Sequence, residues 1–187
     1  LSYGIELIDG LTTRFSLFGK ASQGQPYSFT FERADRDFGD ENWNGSRQLL
    51  YIPTADDANV VYDADFNKAA FDAFIADEGL TRGQITGRND QNADWHTSFD
   101  LKINQEIPGF VDGHKGNAFF TIKNLGNLLN DDWGVMNQGA FVGNRMVAMS
   151  IEDGKYVYEE FNENNKDQDY YKDASLWEIR VGVSYDF

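Results

Sequence analysis

The segment 176–187 constrains the fold more than any other stretch. Trp177, Ile179, Val181, Val183, Tyr185 and Phe187 share one parity, while Glu178, Arg180, Gly182, Ser184 and Asp186 share the other. Successive side chains of a strand point to opposite sides, so this period describes a strand with one apolar and one polar face. The same period recurs upstream. Leu1, Tyr3, Ile5 and Leu7 alternate with Ser2, Gly4 and Glu6, Phe15 and Leu17 with Arg14 and Ser16, and Tyr27, Phe29 and Phe31 with Ser28, Thr30 and Glu32. Further along, Phe99, Leu101 and Ile103 alternate with Asp100, Lys102 and Asn104, and Phe120 and Ile122 with Thr121 and Lys123. Segments 144–151 and 155–161 are strand-like with less clean polar faces.

Asp9-Gly10 and Asp153-Gly154 are hairpin dipeptides, since glycine accepts the positive φ of a tight reversal, and Pro108-Gly109 opens a slightly longer turn ending at Gly116. The remaining connections, 34–95, 127–141 and 162–175, are long. Alternation of short and long connections is how outer-membrane barrels are built, with short periplasmic turns and long outside loops. The expectation is therefore an all-β chain, an antiparallel transmembrane β-barrel wall. Its spanning strands would be 1–8, 11–20, 96–107, 117–125, 142–151, 155–161 and 176–187, with Tyr27–Arg33 in an extension above the membrane. Seven strands leave two edges, and an unpaired edge in lipid costs several kcal/mol per backbone group, so more strands are expected from elsewhere.

Ten steps from Trp177 to Phe187, at ~3.3 Å each and tilted by ~45°, cover ~23 Å, close to the ~25 Å apolar band of such barrels. Trp177 and Phe187 then mark opposite rims, and Trp95 and Trp133 the outer one. The polar parity, Glu6, Arg14, Asp100, Lys102, Asn104, Lys123, Glu178 and Arg180, would face a hydrated lumen or a plug. One helix is expected between Asp65 and Glu78, where Phe66, Ala70 and Phe74 recur every four residues beside Phe71 and Ile75, and Gly79 supplies a stop.

The net charge of −15, from 31 acidic and 16 basic residues, repels phosphates and argues against a nucleic-acid partner. No cysteine is present, so neither disulfides nor thiolate metal sites are expected. With no run of eighteen apolar residues, no spanning helix is expected. The chain starts at Leu1 with no basic-then-apolar leader, which suggests a mature protein or a piece of a longer one.

Asp35, Asp37, Asp40 and Glu41, with Asn42 and Asn44, place many oxygens within ten residues. Calcium is a candidate ligand there, although the EF-hand spacing is absent and a solvated acidic loop explains the run as well. His96 and His114 lack metal-ligand spacing; His96 is expected near the outer rim and His114 in a periplasmic turn. No nucleophile elbow, phosphate loop or dinucleotide fingerprint occurs, so no catalytic residue is assigned and no enzyme is expected.

Five blocks then resemble, in order, the closing strands of Oar-like TonB-dependent receptors: Gln25-Pro26-Tyr27-Ser28, Leu50-Tyr51-Ile52-Pro53-Thr54, Arg82-Gly83-Gln84-Ile85 with Arg88-Asn89, 94–108, and 123–134. The resemblance spans essentially all of the chain. It implies the C-terminal part of a 22-stranded barrel in the outer membrane of a Gram-negative bacterium. The implied partners are outer-membrane lipid, the remaining strands and plug of the same receptor, and TonB through the absent N-terminal part. It also implies that the terminal aromatic Phe187, with Tyr185, is read by the barrel-assembly machinery.

The resulting expectation is a receptor for energised uptake or export of a solute. Two alternatives stay open: a surface barrel that adheres or supports without transport, and a soluble, calcium-dependent all-β binding module whose apolar faces pack on each other.

Overall fold

In a computed structural model, residues 1–32, 47–111, 113–141, 143–166 and 168–186 are described. The fold is mostly β. Among the described residues, strands of three or more residues run in the order β1 (Ser2–Ile8), β2 (Leu11–Ser22), β3 (Phe29–Glu32), β4 (Val60–Tyr62), β5 (His96–Pro108), β6 (Lys115–Lys123), β7 (Asn144–Glu152), β8 (Lys155–Phe161) and β9 (Glu178–Asp186). The helices are α1 (Lys68–Asp77), α2 (Leu125–Leu129) and α3 (Lys172–Ser175), and none is long and apolar enough to cross a membrane. Two compact units form: Leu1–Gln23 with Asp94–Met136 and Tyr170–Phe187, and Gly24–Ala93 with Asn137–Asp169.

The first unit is one antiparallel sheet, ordered β1-β2-β5-β6-β9. Asp9-Gly10, with Gly10 at φ +71°, joins β1 to β2, and residues 109–114 join β5 to β6. Both turns lie at the end of the sheet where β9 finishes. From the opposite end the chain leaves after β2 and β6 and returns at β5 and β9. The sheet is open, since neither the outer edge of β1 nor that of β9 has a partner among the described residues.

The second unit holds a four-stranded mixed sheet, ordered β3-β7-β8-β4. Its central pair β7-β8 is antiparallel, and β3 and β4 add to it in parallel. Helix α1 begins at Asn67, whose side-chain oxygen accepts from Ala70 N at 3.1 Å. It ends at Gly79, φ +63°, with Leu80 N donating to Ile75 O and Gly79 N to Ala76 O, the paired bonds of a glycine C-terminal cap. The helix buries Phe71, Phe74 and Ile75. Phe71 packs 6.0 Å from Tyr158 and 5.3 Å from Phe161, and Phe74 packs 4.9 Å from Phe29, between ring centroids. Every residue of the buried hydrophobic cluster belongs to this unit.

The seven-strand expectation is thereby corrected. Five of the seven segments share the first sheet, whereas 142–151 and 155–161 form β7 and β8 of the second unit, with Asp153-Gly154 as their hairpin turn. The reason is visible in β7. Register shifts at Arg145/Val147 and Ala148/Met149 break the two-residue period, so consecutive residues Met146, Val147, Ala148 and Met149 are all buried. A strand buried on both faces has no wet side. Phe29–Glu32, placed outside the spanning set from sequence, lies beside β7, and the expected helix is α1.

One polar contact ties the edge of this core together. Tyr51 donates its hydroxyl to Asp57 Oδ2 at 2.5 Å, and that hydrogen bond, with burial and the Asp57 charge, pushes the phenol up to about 12. The folded phenol holds its proton more tightly than the unfolded one at ~10. Stability from this source is therefore intact below pH ~10 and declines as pH rises through about 12. In alkaline unfolding of the second unit, Tyr51→Phe is expected to flatten the loss across that window. An unchanged profile would show that the pair does not contribute.

Candidate functional site

In an antiparallel ladder, directly opposed residues project to the same side. Register therefore assembles two faces from the five strands of the first unit. Tyr3, Phe15, Ile103, Phe120 and Val181 form one row across all five. Leu17, Leu101, Ile122 and Ile179 form the next, with Ile5, Thr13, Gln105, Ala118 and Val183 on the other side of the first. This apolar face is open along its two edge strands, where Val181 is 73% exposed, Val183 70% and Tyr3 64%, and mostly half-buried on the central strands, where Ile122 is buried. Its two polar members satisfy each other, because the Thr13 hydroxyl donates to Gln105 Oε1, and Thr13 is buried.

The opposite face carries both charge signs. Glu6, Arg14, Asp100, Lys102, Asn104, Lys123, Glu178 and Arg180, grouped from sequence parity, all lie on it by register. Contacts run along and across strands. Arg180 donates to both carboxylate oxygens of Glu178 at 2.6 and 2.9 Å, and Lys123 Nζ lies 3.6 Å from Glu178. Asn104 Nδ2 donates to Asn117 Oδ1 at 3.0 Å. Glu106 accepts from Thr12 N at 2.9 Å and from Lys115 at 3.4 Å. Two aromatic residues break the pattern here, Phe18 and Phe119. The Phe119 ring covers Gly182 so closely that a Cβ there would stand 2.3 Å from a ring carbon, and Lys102 Nζ lies 5.6 Å from the ring centroid. Glycine on one strand and an aromatic ring on its neighbour complement each other.

At the end where the long connections depart, Trp95 and Trp133 line a shallow cavity of about 330 Å³ with Thr97 and Phe99. Trp177 directly precedes β9 at this same end, and all three tryptophans are exposed. At the hairpin end, the Tyr185 hydroxyl and His114 Nδ1 are hydrogen-bonded at 3.0 Å, and Tyr185 stacks obliquely on exposed Phe110 at 5.6 Å. His114 thus lies in the short 109–114 turn, and His96 starts β5 at the other end, buried.

Sequence pattern did not anticipate the junction at Asn124. This residue is buried in the left-handed region, φ 48°. Its side-chain Nδ2 donates to Gly134 O at 2.8 Å and Ser175 O at 2.6 Å, and its backbone N–H to Asp100 Oδ1 at 2.9 Å. Asn127 Nδ2 similarly donates to the carbonyls of Asp131 and Trp133. These two asparagines fold the 124–134 connection onto the end of the sheet. The one available signal was the spacing of Asn124, Asn127 and Gly134.

Asp35, Asp37, Asp40, Glu41 and Phe187 lie outside the described residues. Among the described residues, no group of three or more His, Cys, Asp and Glu side chains is placed to hold a metal ion. Compared with known proteins, the chain matches no family model, no curated protein and no solved structure.

Proposed function

We propose that the chain is a C-terminal wall segment of an outer-membrane β-barrel of the Oar-like TonB-dependent receptor type, serving energised passage of a solute. The observation that carries this is the first unit's uncovered apolar face. A sheet in water is stable when its apolar side is packed, and burying one Val, Leu or Phe side chain is worth ~1.5–3 kcal/mol. On this face Tyr3, Ile5, Leu17, Ile179, Val181 and Val183 stand exposed while the other central-strand residues are half-buried or, as Ile122, buried, and the buried cluster belongs wholly to the other unit. Hydrocarbon is the environment that makes this arrangement favourable, with the charged face turned to an aqueous lumen. The open edges of β1 and β9 support the same reading, since further strands would close them. Tryptophans gathered at one end suit a headgroup-level girdle.

A soluble module of stacked sheets would cover that face, which counts against it. An adhesive barrel without transport shares the wall but not the machinery. The coding sequence upstream is expected to supply the further strands, a plug and a TonB box. A complete open frame lacking the plug would leave an adhesive barrel and sink the transport reading. Isolation of these residues without detergent as a monodisperse, cooperatively melting monomer would overturn the wall itself.

A further inference from the structure

The second unit contains an open cavity of about 1000 Å³, with Tyr27 on one side and the 138–141 segment on another. Gly139 seats that segment against the Tyr27 ring, so closely that a Cβ would lie 2.5 Å from it. A third wall is the turn 87–90. It is fixed by Gly87 N donating to Asp90 Oδ2 at 2.8 Å, and by Asn89, at φ 55°, donating its backbone N–H to Ser28 Oγ at 2.7 Å. This turn presents Arg88, which has no ion-pair or hydrogen-bond partner among the described residues. Phe141 stands at the cavity wall 96% exposed. Among the described residues Arg88 and Asp169 line the space together with Arg47, which is already engaged, so Arg88 is the guanidinium left to meet a ligand.

We infer that this cavity binds a hydroxyl-rich solute carrying an anionic group, the chemistry of an acidic saccharide. Its volume is at the upper end of small-molecule sites, ~300–1000 Å³. A guanidinium takes a carboxylate as a planar, two-pronged hydrogen-bonded pair, the role open to Arg88. Gln138 offers an amide that both donates and accepts, and Asn89, whose Oδ1 accepts from Ser28 Oγ at 3.4 Å, keeps its amide N–H donors, which suits hydroxyls. The uncovered Phe141 ring supplies a flat apolar surface for the C–H face of a sugar ring. The inference goes beyond the receptor reading and does not depend on transport.

Titration calorimetry of the full chain in detergent, with trigalacturonate as probe, is the test. Saturable binding is expected, weakened roughly ten- to a hundredfold by Arg88→Gln and severalfold by Phe141→Ala. A neutral galactose trisaccharide should bind at least about tenfold more weakly. Both substituted side chains are exposed, so melting curves of the variants should match the parent. No heat from trigalacturonate with a parent-like melt, or equal affinity in Arg88→Gln, overturns the inference. Tighter binding of triglutamate would make the cavity a peptide site, and equal binding of inorganic phosphate a bare anion site; either result also overturns it. None of these outcomes bears on whether the sheet lies in lipid.

Discussion

Val181→Arg in phospholipid vesicles is expected to destabilise the chain by ~2–4 kcal/mol, the penalty for arginine on the lipid face of a barrel near the bilayer midplane. Val181 belongs to the row Tyr3, Phe15, Ile103, Phe120 and Val181, midway between the tryptophan end and the hairpin end of the sheet. Being 73% exposed, it loses little packing on substitution, so the measured cost reports its surroundings. A surface site in water would change by ~0.5 kcal/mol or less. Ser184→Arg, on the charged face of the same strand, is the matched control and should fall within that smaller range. Urea midpoints of vesicle-inserted protein provide the readout. If the two variants are equally stable in vesicles, the apolar face does not meet hydrocarbon.

Asn124→Ala should cost ~3 kcal/mol. The substitution removes two side-chain hydrogen bonds, to Gly134 O and Ser175 O, and a buried carbonyl left without its partner costs ~1–3 kcal/mol. It also places alanine in the left-handed region, at a further ~1–2 kcal/mol, where asparagine is better tolerated. Gly134→Ala attacks the same junction from the other side: Gly134 has φ +63°, and a Cβ would fall 1.9 Å from Asn124 Oδ1. Asn130→Ala is the comparison, because Asn130 makes an exposed hydrogen bond to Asp132 N at 2.9 Å and should cost under ~1 kcal/mol. Denaturation followed by tryptophan fluorescence would report all three, with Trp133 beside the junction. Equal midpoints for Asn124→Ala and Asn130→Ala would show that the knot is not holding the connection.

The two-faced sheet was legible because its strands keep a two-residue period over most of their length, with one register shift at Glu6/Ile8 near the end of β1. Once 178–186 alternates and 96–108 alternates, the face of each residue follows from parity, although the register does not, and eight residues grouped by parity fall on one face. The membership of β7 and β8 was not legible, because a bulge changes parity without changing composition. Met146 to Met149 read equally well as a poor membrane strand or a buried soluble one. Phe18 and Phe119 on the charged face also defeat a parity rule; Phe119 is explained only by the glycine it covers on the neighbouring strand. The cavity beside Arg88 was hidden for a different reason. Its walls come from segments around Tyr27, Arg88 and Gln138, far apart in sequence, and no local pattern announces that they converge.

The second unit is sewn from two separated lengths of chain, with β3 and β4 in the first and their partners β7 and β8 in the second. During synthesis, Phe29, Phe31 and Leu50 therefore emerge well before the strands that will shelter them, and the mixed sheet closes only when the ribosome has passed Phe161. Until then the nascent chain exposes sticky, unpaired edges. A cell making this protein must hold it apart from its neighbours over that interval, whatever the finished molecule goes on to do.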